Sequence, residues 1–192
     1  KEKIQLCNKY NIKTYLGGTI FELAVINNKI EEFFQYAKKL NIDIVEISDG
    51  TIQIDKGKKL ELIKLFSKSF ITISELGSKI ENSILEKKVI LSAIDELEAG
   101  AWKVIFEGRE SGTVGIYNAD YSVKKDLIEN IIKIFEGREN SIIWETPKKL
   151  QQAWFINYLG NKVNLGNVPL ADIISLETLR LGLRSDTLFK YN

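Results

Sequence analysis

The chain has 192 residues, of which 44% are hydrophobic and 28% charged, a composition typical of a globular domain with its own core. Its 27 basic and 26 acidic side chains leave a net charge of +1, so no global field favours binding to nucleic acid or to an anionic membrane. The chain has no histidine, which excludes Ser-His-Asp and Cys-His catalysis and histidine metal ligands within it.

The single cysteine, Cys7, excludes an internal disulfide bond and fits a reducing cytoplasm. No apolar run approaches about 18 residues and no signal peptide is visible, so we predict a cytoplasmic location and no membrane contact. The chain has no methionine and opens inside an amphipathic helical pattern without a cap. This favours a chain that lacks its N-terminal part.

Short apolar runs alternate with segments of helical period. The predicted helices cover 1–10, 29–40, 58–69, 86–99, 124–135, 147–159 and 171–183. The predicted strands cover 12–16, 42–47, 70–73, 102–107, 141–145 and 163–165. Strand–helix alternation at this spacing predicts βαβ units and a parallel sheet, which fits an open doubly wound sheet or a (β/α)8 barrel.

Polar side chains follow almost every predicted strand, at its carboxyl end. They converge on one mouth in a barrel, whereas in an open sheet they would concentrate at one switch point. Contributions from almost all of the six strands therefore favour a (β/α)8 barrel of the TIM type, as a single domain over residues 1–192. These strand-end residues are Glu46, Ser48, Ser74, Glu75, Glu107, Arg109, Glu145, Asn164 and Asn167.

Six strands do not close an eight-stranded barrel, so we expect about two strands and one helix to be missing upstream. An opened barrel exposes strand edges, so we expect the chain alone either to associate into a homo-oligomer or to be unstable.

The stretch 99–112 carries the densest set of candidate catalytic groups. Because side chains alternate along a strand, Lys103, Glu107 and Arg109 are predicted to share one face, which points into the barrel. The opposite face, which should pack under the surrounding helices, carries Trp102, Val104 and Phe106. Buried charge is costly and often functional, which favours an active site; the alternative is an ion-pair network that only fills the barrel.

Carboxylates end several strands and could hold Mg²⁺ through oxygen ligands. Glu46, Glu75, Glu107 and Glu145 are the candidates, and we predict Glu46 and Glu145 as the metal ligands. For Glu145 the alternative is a carboxylate stabilised by the dipole of the next helix.

The stretch 161–169 places a glycine turn directly before the last predicted helix. Gly166 would let a ligand approach the backbone, while Asn164 and Asn167 offer side-chain donors. A turn of this kind after a late barrel strand is a natural phosphate-binding site; the alternative is an ordinary Gly-Asn turn.

Taken together, these segments resemble the phosphosulfolactate synthase family nearly end to end and in family order. The segments that carry the resemblance are 17–22 (GGTIFE), 45–50 (VEISDG), 99–112 (AGAWKVIFEGRESG), 142–147 (IIWETP) with Gln151-Gln152, 163–168, 172–177 (DIISLE) and 179–187.

The resemblance implies a (β/α)8 barrel that adds sulfite to phosphoenolpyruvate with the help of Mg²⁺. It also implies a strand, a helix and a second strand before the present start, which matches the gap in the barrel. Lys103 would then donate a proton or stabilise charge, with Glu107 beside it, and Arg109 would bind a carboxylate or sulfite. Asn164, Gly166 and Asn167 would hold the phosphate.

Two other functions remain open on the sequence alone. A non-catalytic homologue with a stress-related or partner-binding role would give no sulfonate product from phosphoenolpyruvate and sulfite. Another barrel lyase or aldolase would form a Schiff base on Lys103, which borohydride would trap.

Overall fold

The computed structural model describes residues 1–76, 83–188 and 190, without the side chains of 83–86. The helices are α1 Glu2–Lys9, α2 Thr19–Ile26, α3 Ile30–Lys39, α4 Lys56–Phe66, α5 Ser83–Glu98, α6 Lys125–Ile134, α7 Lys149–Leu159 and α8 Ile173–Arg180. The strands are β1 Tyr15–Leu16, β2 Ile44–Ile47, β3 Ile71–Leu76, β4 Lys103–Phe106, β5 Ile142–Glu145 and β6 Leu165–Gly166. None of the described helices combines the length and apolar character needed to cross a membrane.

The chain divides into two compact units, Lys1–Val104 and Ile105–Asn192. In the first, β1 pairs with β2 and β2 with β3, both in parallel. In the second, β5 pairs in parallel with β6. The predicted α/β fold of parallel strands alternating with helices is confirmed and is consistent with an incomplete (β/α) barrel; the full eight-stranded barrel and the single-domain organisation stay predictions.

Helix α2 is the element that the sequence pattern missed. Its residues, TIFELAVI, are apolar almost throughout, and such a run has no period that separates a helix from a strand. Gly18 precedes the helix with a φ of +59°, a conformation open to glycine that turns the chain directly from β1 into α2. The predicted strand at 12–16 is correspondingly reduced to Tyr15–Leu16.

The core of the first unit is aromatic. Phe21, Phe33 and Phe66 meet edge to face, with ring centroids 5.6–6.0 Å apart, an arrangement that aromatic quadrupoles favour. Val45 and Ile47 of β2 are fully buried in the same cluster. Because side chains alternate along a strand, Glu46 is presented on the opposite face of β2, and Ser48 directly follows the strand.

The core of the second unit is built around a row of packed aromatic rings. Phe106 stacks on Trp144 at 5.4 Å, Trp144 stacks on Phe155 at 5.0 Å, and Phe106 also meets Phe135. Phe106 and Trp144 therefore pack under helical residues, as the alternation predicts.

The prediction that Trp102 also packs under the helices is wrong. Trp102 is 52% exposed and lies one residue before β4 begins. The alternation rule applies inside a strand and does not reach a residue outside it.

Candidate functional site

The end of β1 lies directly against Glu46 of β2. A Cβ on Gly17 would come within 2.4 Å of the Glu46 Cβ, so this approach requires glycine. The Glu46 carboxylate lies 3.4 Å from the position that a Gly18 Cβ would take, at the first turn of α2. Glu46 is buried, and the partial positive charge of a helix N-terminus favours a carboxylate there.

Two further carboxylates of the first unit converge on one hydroxyl group. Ser48 Oγ lies 3.1 Å from Glu22 Oε1 and forms a short contact with Glu75 Oε2. A serine hydroxyl has one hydrogen to donate, so the two carboxylates share a single donor at this point. Glu22 also accepts the backbone N–H of Thr51 at 2.9 Å.

Glu22 was not among the predicted site residues, because the sequence pattern did not predict α2. The sequence nevertheless marks this residue, since Glu22 is the one charged residue in the apolar run TIFELAVI. Glu22 is only 3% exposed, and a buried carboxylate needs partners. An isolated acid within an apolar helix therefore marks a site even where the helix itself is not predicted.

The donor set around Ser48 suits a hard cation. Among the residues that the structure describes, no group of three or more acidic, cysteine or histidine side chains lies close enough to cage a metal ion. Mg²⁺ needs no such cage, because it usually keeps several waters and takes one or two carboxylates together with substrate phosphates. The oxygens of Glu22, Glu75 and Ser48 meet that requirement. Of the predicted ligands, Glu46 belongs to this unit and Glu145 to the other.

Lys103 is the first residue of β4 and is half-buried. Its Nζ lies 4.6 Å from the ring centroid of Trp102, an attractive cation–π geometry. Burial lowers the pKa of Lys103 from its ordinary value, as a lysine that transfers a proton near neutral pH requires. Its position at the start of the strand differs from the strand-end placement of the other candidates.

Glu107 and Arg109 form an ion pair in the second unit. Arg109 Nε donates to Glu107 Oε1 at 2.7 Å, with Glu107 buried and Arg109 exposed. Strand β4 ends at Phe106, so strand alternation does not place these side chains, and the prediction that Arg109 continues the strand face is wrong. Arg109 has a φ of +52°, and the turn rather than the strand sets the direction of its side chain.

Glu145 holds that turn through its side chain and its backbone. Its Oε2 accepts the backbone N–H groups of Gly108 at 2.8 Å and Arg109 at 3.0 Å. Its carbonyl accepts the Tyr117 hydroxyl at 2.5 Å. Burial, with a smaller contribution from the Glu145 charge, raises the pKa of Tyr117, so this phenol stays a hydrogen-bond donor. Glu145 thus has a positioning role in addition to its predicted role as a metal ligand.

The loop from 107 to 124 is packed closely onto its surroundings. A Cβ on Gly115 would lie 2.0 Å from the Glu107 carbonyl oxygen. Lys124 Nζ donates to the carbonyl of Gly115 at 2.8 Å, and Gln151 Nε2 donates to that of Gly112 at 2.9 Å. An ordered loop of this length after a strand is typical of a functional loop.

The three residues predicted to bind phosphate are not all at one point. Asn164 Nδ2 donates to the carbonyls of Asn140 and Ile142, both at 3.0 Å, and so secures the start of β5. Gly166 lies opposite Glu145 at the carboxyl end, and Asn167 follows with a φ of +51°. Gly166 and Asn167 therefore lie at the strand end that a phosphate site needs, whereas the amide of Asn164 serves the other end.

Comparisons with known proteins all match this chain to one enzyme family. The family model described as (2R)-phospho-3-sulfolactate synthase (ComA) matches residues 1–186. A phosphosulfolactate synthase of Methanothermobacter thermautotrophicus is 41% identical over 198 residues, which cover 100% of this chain and 76% of the relative. Those of Bacillus subtilis and Methanocaldococcus jannaschii are 40% and 39% identical, over 98% and 99% of this chain and 76% and 77% of their own lengths.

Proposed function

Because the chain belongs to the phosphosulfolactate synthase family, a family of enzymes, we propose that it catalyses the Mg²⁺-assisted addition of sulfite to phosphoenolpyruvate. The product is (2R)-phospho-3-sulfolactate. The observation that carries this proposal is the match of the family model to residues 1–186. In the reaction the sulfur lone pair of sulfite forms a C–S bond to the methylene carbon, while the π electrons of the C=C bond move onto the substrate carboxylate. That electron pair then takes up a proton at the phosphate-bearing carbon, so no group leaves.

The residues that would hold Mg²⁺ are Glu22 and Glu75, with the Ser48 hydroxyl between them. Their convergence, with Glu22 and Ser48 buried and Glu75 half-buried, supports this assignment. Glu46 and Glu145 stay predicted ligands on the grounds given by the sequence. When bound, the ion supplies Lewis-acid stabilisation for the negative charge that develops on the substrate carboxylate.

Arg109 is proposed to bind the substrate carboxylate or the entering sulfite. A guanidinium group matches oxyanions with paired N–H donors, and the contact between Arg109 Nε and Glu107 fixes its orientation. Glu107 acts in this proposal by holding Arg109. The contacts of Glu145 with the backbone of the same turn support a fixed position for the guanidinium.

Lys103 is proposed to donate the proton to the phosphate-bearing carbon or to stabilise charge there. The lowered pKa that burial gives this lysine supports the role of donor. Gly166 and Asn167 are proposed to receive the phosphate through the turn at the end of β6, whereas the Asn164 amide secures the start of β5.

The test is direct. Purified protein is mixed with phosphoenolpyruvate, sulfite and Mg²⁺, and products are followed by ³¹P NMR and mass spectrometry. We expect a phosphorylated sulfonate that forms only when sulfite is present and whose formation stops with EDTA. Consumption of phosphoenolpyruvate without a C–S product, or no reaction under any of these conditions, would overturn the proposed reaction and favour the non-catalytic alternative.

A further inference from the structure

A buried ammonium group connects several elements of the first unit. Lys59 lies in α4 and is only 4% exposed. Its Nζ donates to Asp49 Oδ1 at 3.0 Å and to the backbone carbonyl of Glu75 at 2.7 Å. It also forms an ion pair with Glu96 Oε1 at 3.1 Å. Three acceptors, from the loop after β2, from β3 and from α5, thus match the three N–H donors of a lysine ammonium group.

The free energy of folding does not explain this network. Burying an ammonium group costs several kcal/mol before its partners compensate, and apolar replacements of buried ion pairs are often as stable. Glu96 Oε2 is buried and has no hydrogen-bond partner among the described residues, which adds a further cost. Burial raises the pKa of Glu96, which agrees with a carboxyl group that is not fully compensated.

What the network does fix is the backbone next to the Glu22–Ser48–Glu75 site. Asp49 directly follows Ser48, whose hydroxyl lies between the two carboxylates. The Glu75 carbonyl that Lys59 binds belongs to the residue whose own carboxylate contacts Ser48. One ammonium group therefore contacts both sides of the Ser48–Glu75 pair, through the Asp49 side chain on one side and the Glu75 main chain on the other.

We propose that Lys59 is a positioning residue for the metal site, setting the separation of the Glu75 carboxylate and the Ser48 hydroxyl. The inference rests on the proposed function, because it takes these oxygens as the ligands of the divalent cation. Partners of metal ligands that lie outside the ligand set typically change metal affinity or activity about 10–100-fold when they are removed. Lys59 would act in this way, without touching the ion.

The chain offers a matched control on the same helix. Lys56 lies one turn before Lys59 and pairs with Asp95, the neighbour of Glu96, at 2.5 Å. The Lys56 and Asp95 side chains are 60% and 41% exposed, against 5% each for Lys59 and Glu96. Exposed pairs contribute little to stability. Lys56→Met therefore removes the same charge from the same helix without disturbing the buried network.

The test compares two altered proteins with wild type and with Lys56→Met. The double variant Lys59→Met/Glu96→Gln removes the two most buried charges together and leaves the Asp49 carboxylate, which is 12% exposed. Lys59→Arg keeps the positive charge but changes its shape. Binding of Mn²⁺ is measured from the EPR signal of the free ion, and the Mg²⁺ dependence of turnover is measured separately. We expect about 10–100-fold weaker Mn²⁺ binding in both Lys59 variants and a matching rise in the Mg²⁺ concentration needed for half-maximal rate. Lys56→Met should change neither quantity.

A double variant that melts cooperatively and binds Mn²⁺ as tightly as wild type would overturn the positioning role. If the double variant does not fold, Lys59→Arg is compared with wild type, and Mn²⁺ binding as tight as that of wild type would again overturn the positioning role. Loss of fold alone would not raise the Mg²⁺ requirement of the folded fraction, which separates positioning from general stability. Weakened Mn²⁺ binding in the variants, with no sulfite addition by wild type, would support the positioning role and overturn the proposed reaction instead.

Discussion

The Glu145 carboxylate accepts the backbone N–H of Arg109 at 3.0 Å, across 36 positions of sequence. Arg109 is a non-glycine residue with a positive φ, a conformation that costs about 1–2 kcal/mol for such residues. The same carboxylate oxygen also accepts the N–H of Gly108. The direction of a candidate substrate-binding arginine thus depends on a residue of the next strand.

Glu145→Gln should loosen this turn. Hydrogen bonds to a charged acceptor are worth about 1.5–3 kcal/mol each, so we expect a free energy of unfolding lower by about 2 kcal/mol and a higher KM for the anionic substrates. Denaturant unfolding and steady-state kinetics measure the two effects. Glu139→Gln, which changes an exposed carboxylate on the N–H of Gly137, is the control; equal effects of both substitutions would contradict the role of Glu145.

Gly115→Ala should be far more damaging than Gly137→Ala. Both glycines have positive φ, at +62° and +79°, so both substitutions carry the conformational cost of about 1 kcal/mol. Only at Gly115 would the new Cβ meet the Glu107 carbonyl oxygen, at 2.0 Å, whereas nothing lies within 4 Å at Gly137. We expect a loss of several kcal/mol at Gly115, in the range of severe overpacking, measured by denaturant titration. Similar losses at the two positions would show that the loop is not packed as described.

Glu96 should make stability depend on pH. Burial, the largest cause, raises the folded-state pKa of Glu96 above its ordinary value of 4.5. A raised folded-state pKa contributes stability below the unfolded-state value, and that contribution is lost as the pH rises through the folded-state pKa. Glu96→Gln removes this titration.

The free energy of unfolding of Glu96→Gln relative to wild type should therefore increase as the pH rises above 4.5. Chemical denaturation at a series of pH values measures the difference. A difference that stays constant, or that falls with rising pH, would contradict the raised pKa. Asp95→Asn, on the same helix but exposed, provides the control.

Lys103→Ala should lower kcat strongly if its ammonium group is the proton donor. General acid catalysis contributes about 100- to 10,000-fold, so a loss of that size is expected with little change in stability. Because burial lowers the pKa of Lys103, wild-type activity should fall on the alkaline side at a pH below the ordinary lysine value of 10.5. Lys125→Ala, which breaks an exposed pair with Glu129, is the control. Near-normal turnover of Lys103→Ala would remove this lysine from the mechanism.

Local pattern predicted the alternation of elements well and their ends less well. The helix at 124–135 and the strand at 141–145 were placed within a residue or so of the observed Lys125–Ile134 and Ile142–Glu145. The almost entirely apolar α2 was missed, and β4 was predicted one residue too long at each end. Both errors arise where periodicity is weak, because neither a continuous apolar run nor a strand end carries a repeat.

The sequence by itself determined the α/β class and the family, because both follow from residue type and order along the chain. Only the tertiary structure decided which groups meet. Ser48 reaches Glu22 across 26 positions, and Lys59 reaches the Glu75 carbonyl across 16. The physical reason is that such contacts depend on how α2, α4 and α5 pack against the sheet, and packing is settled by the shape of the whole core rather than by any local repeat.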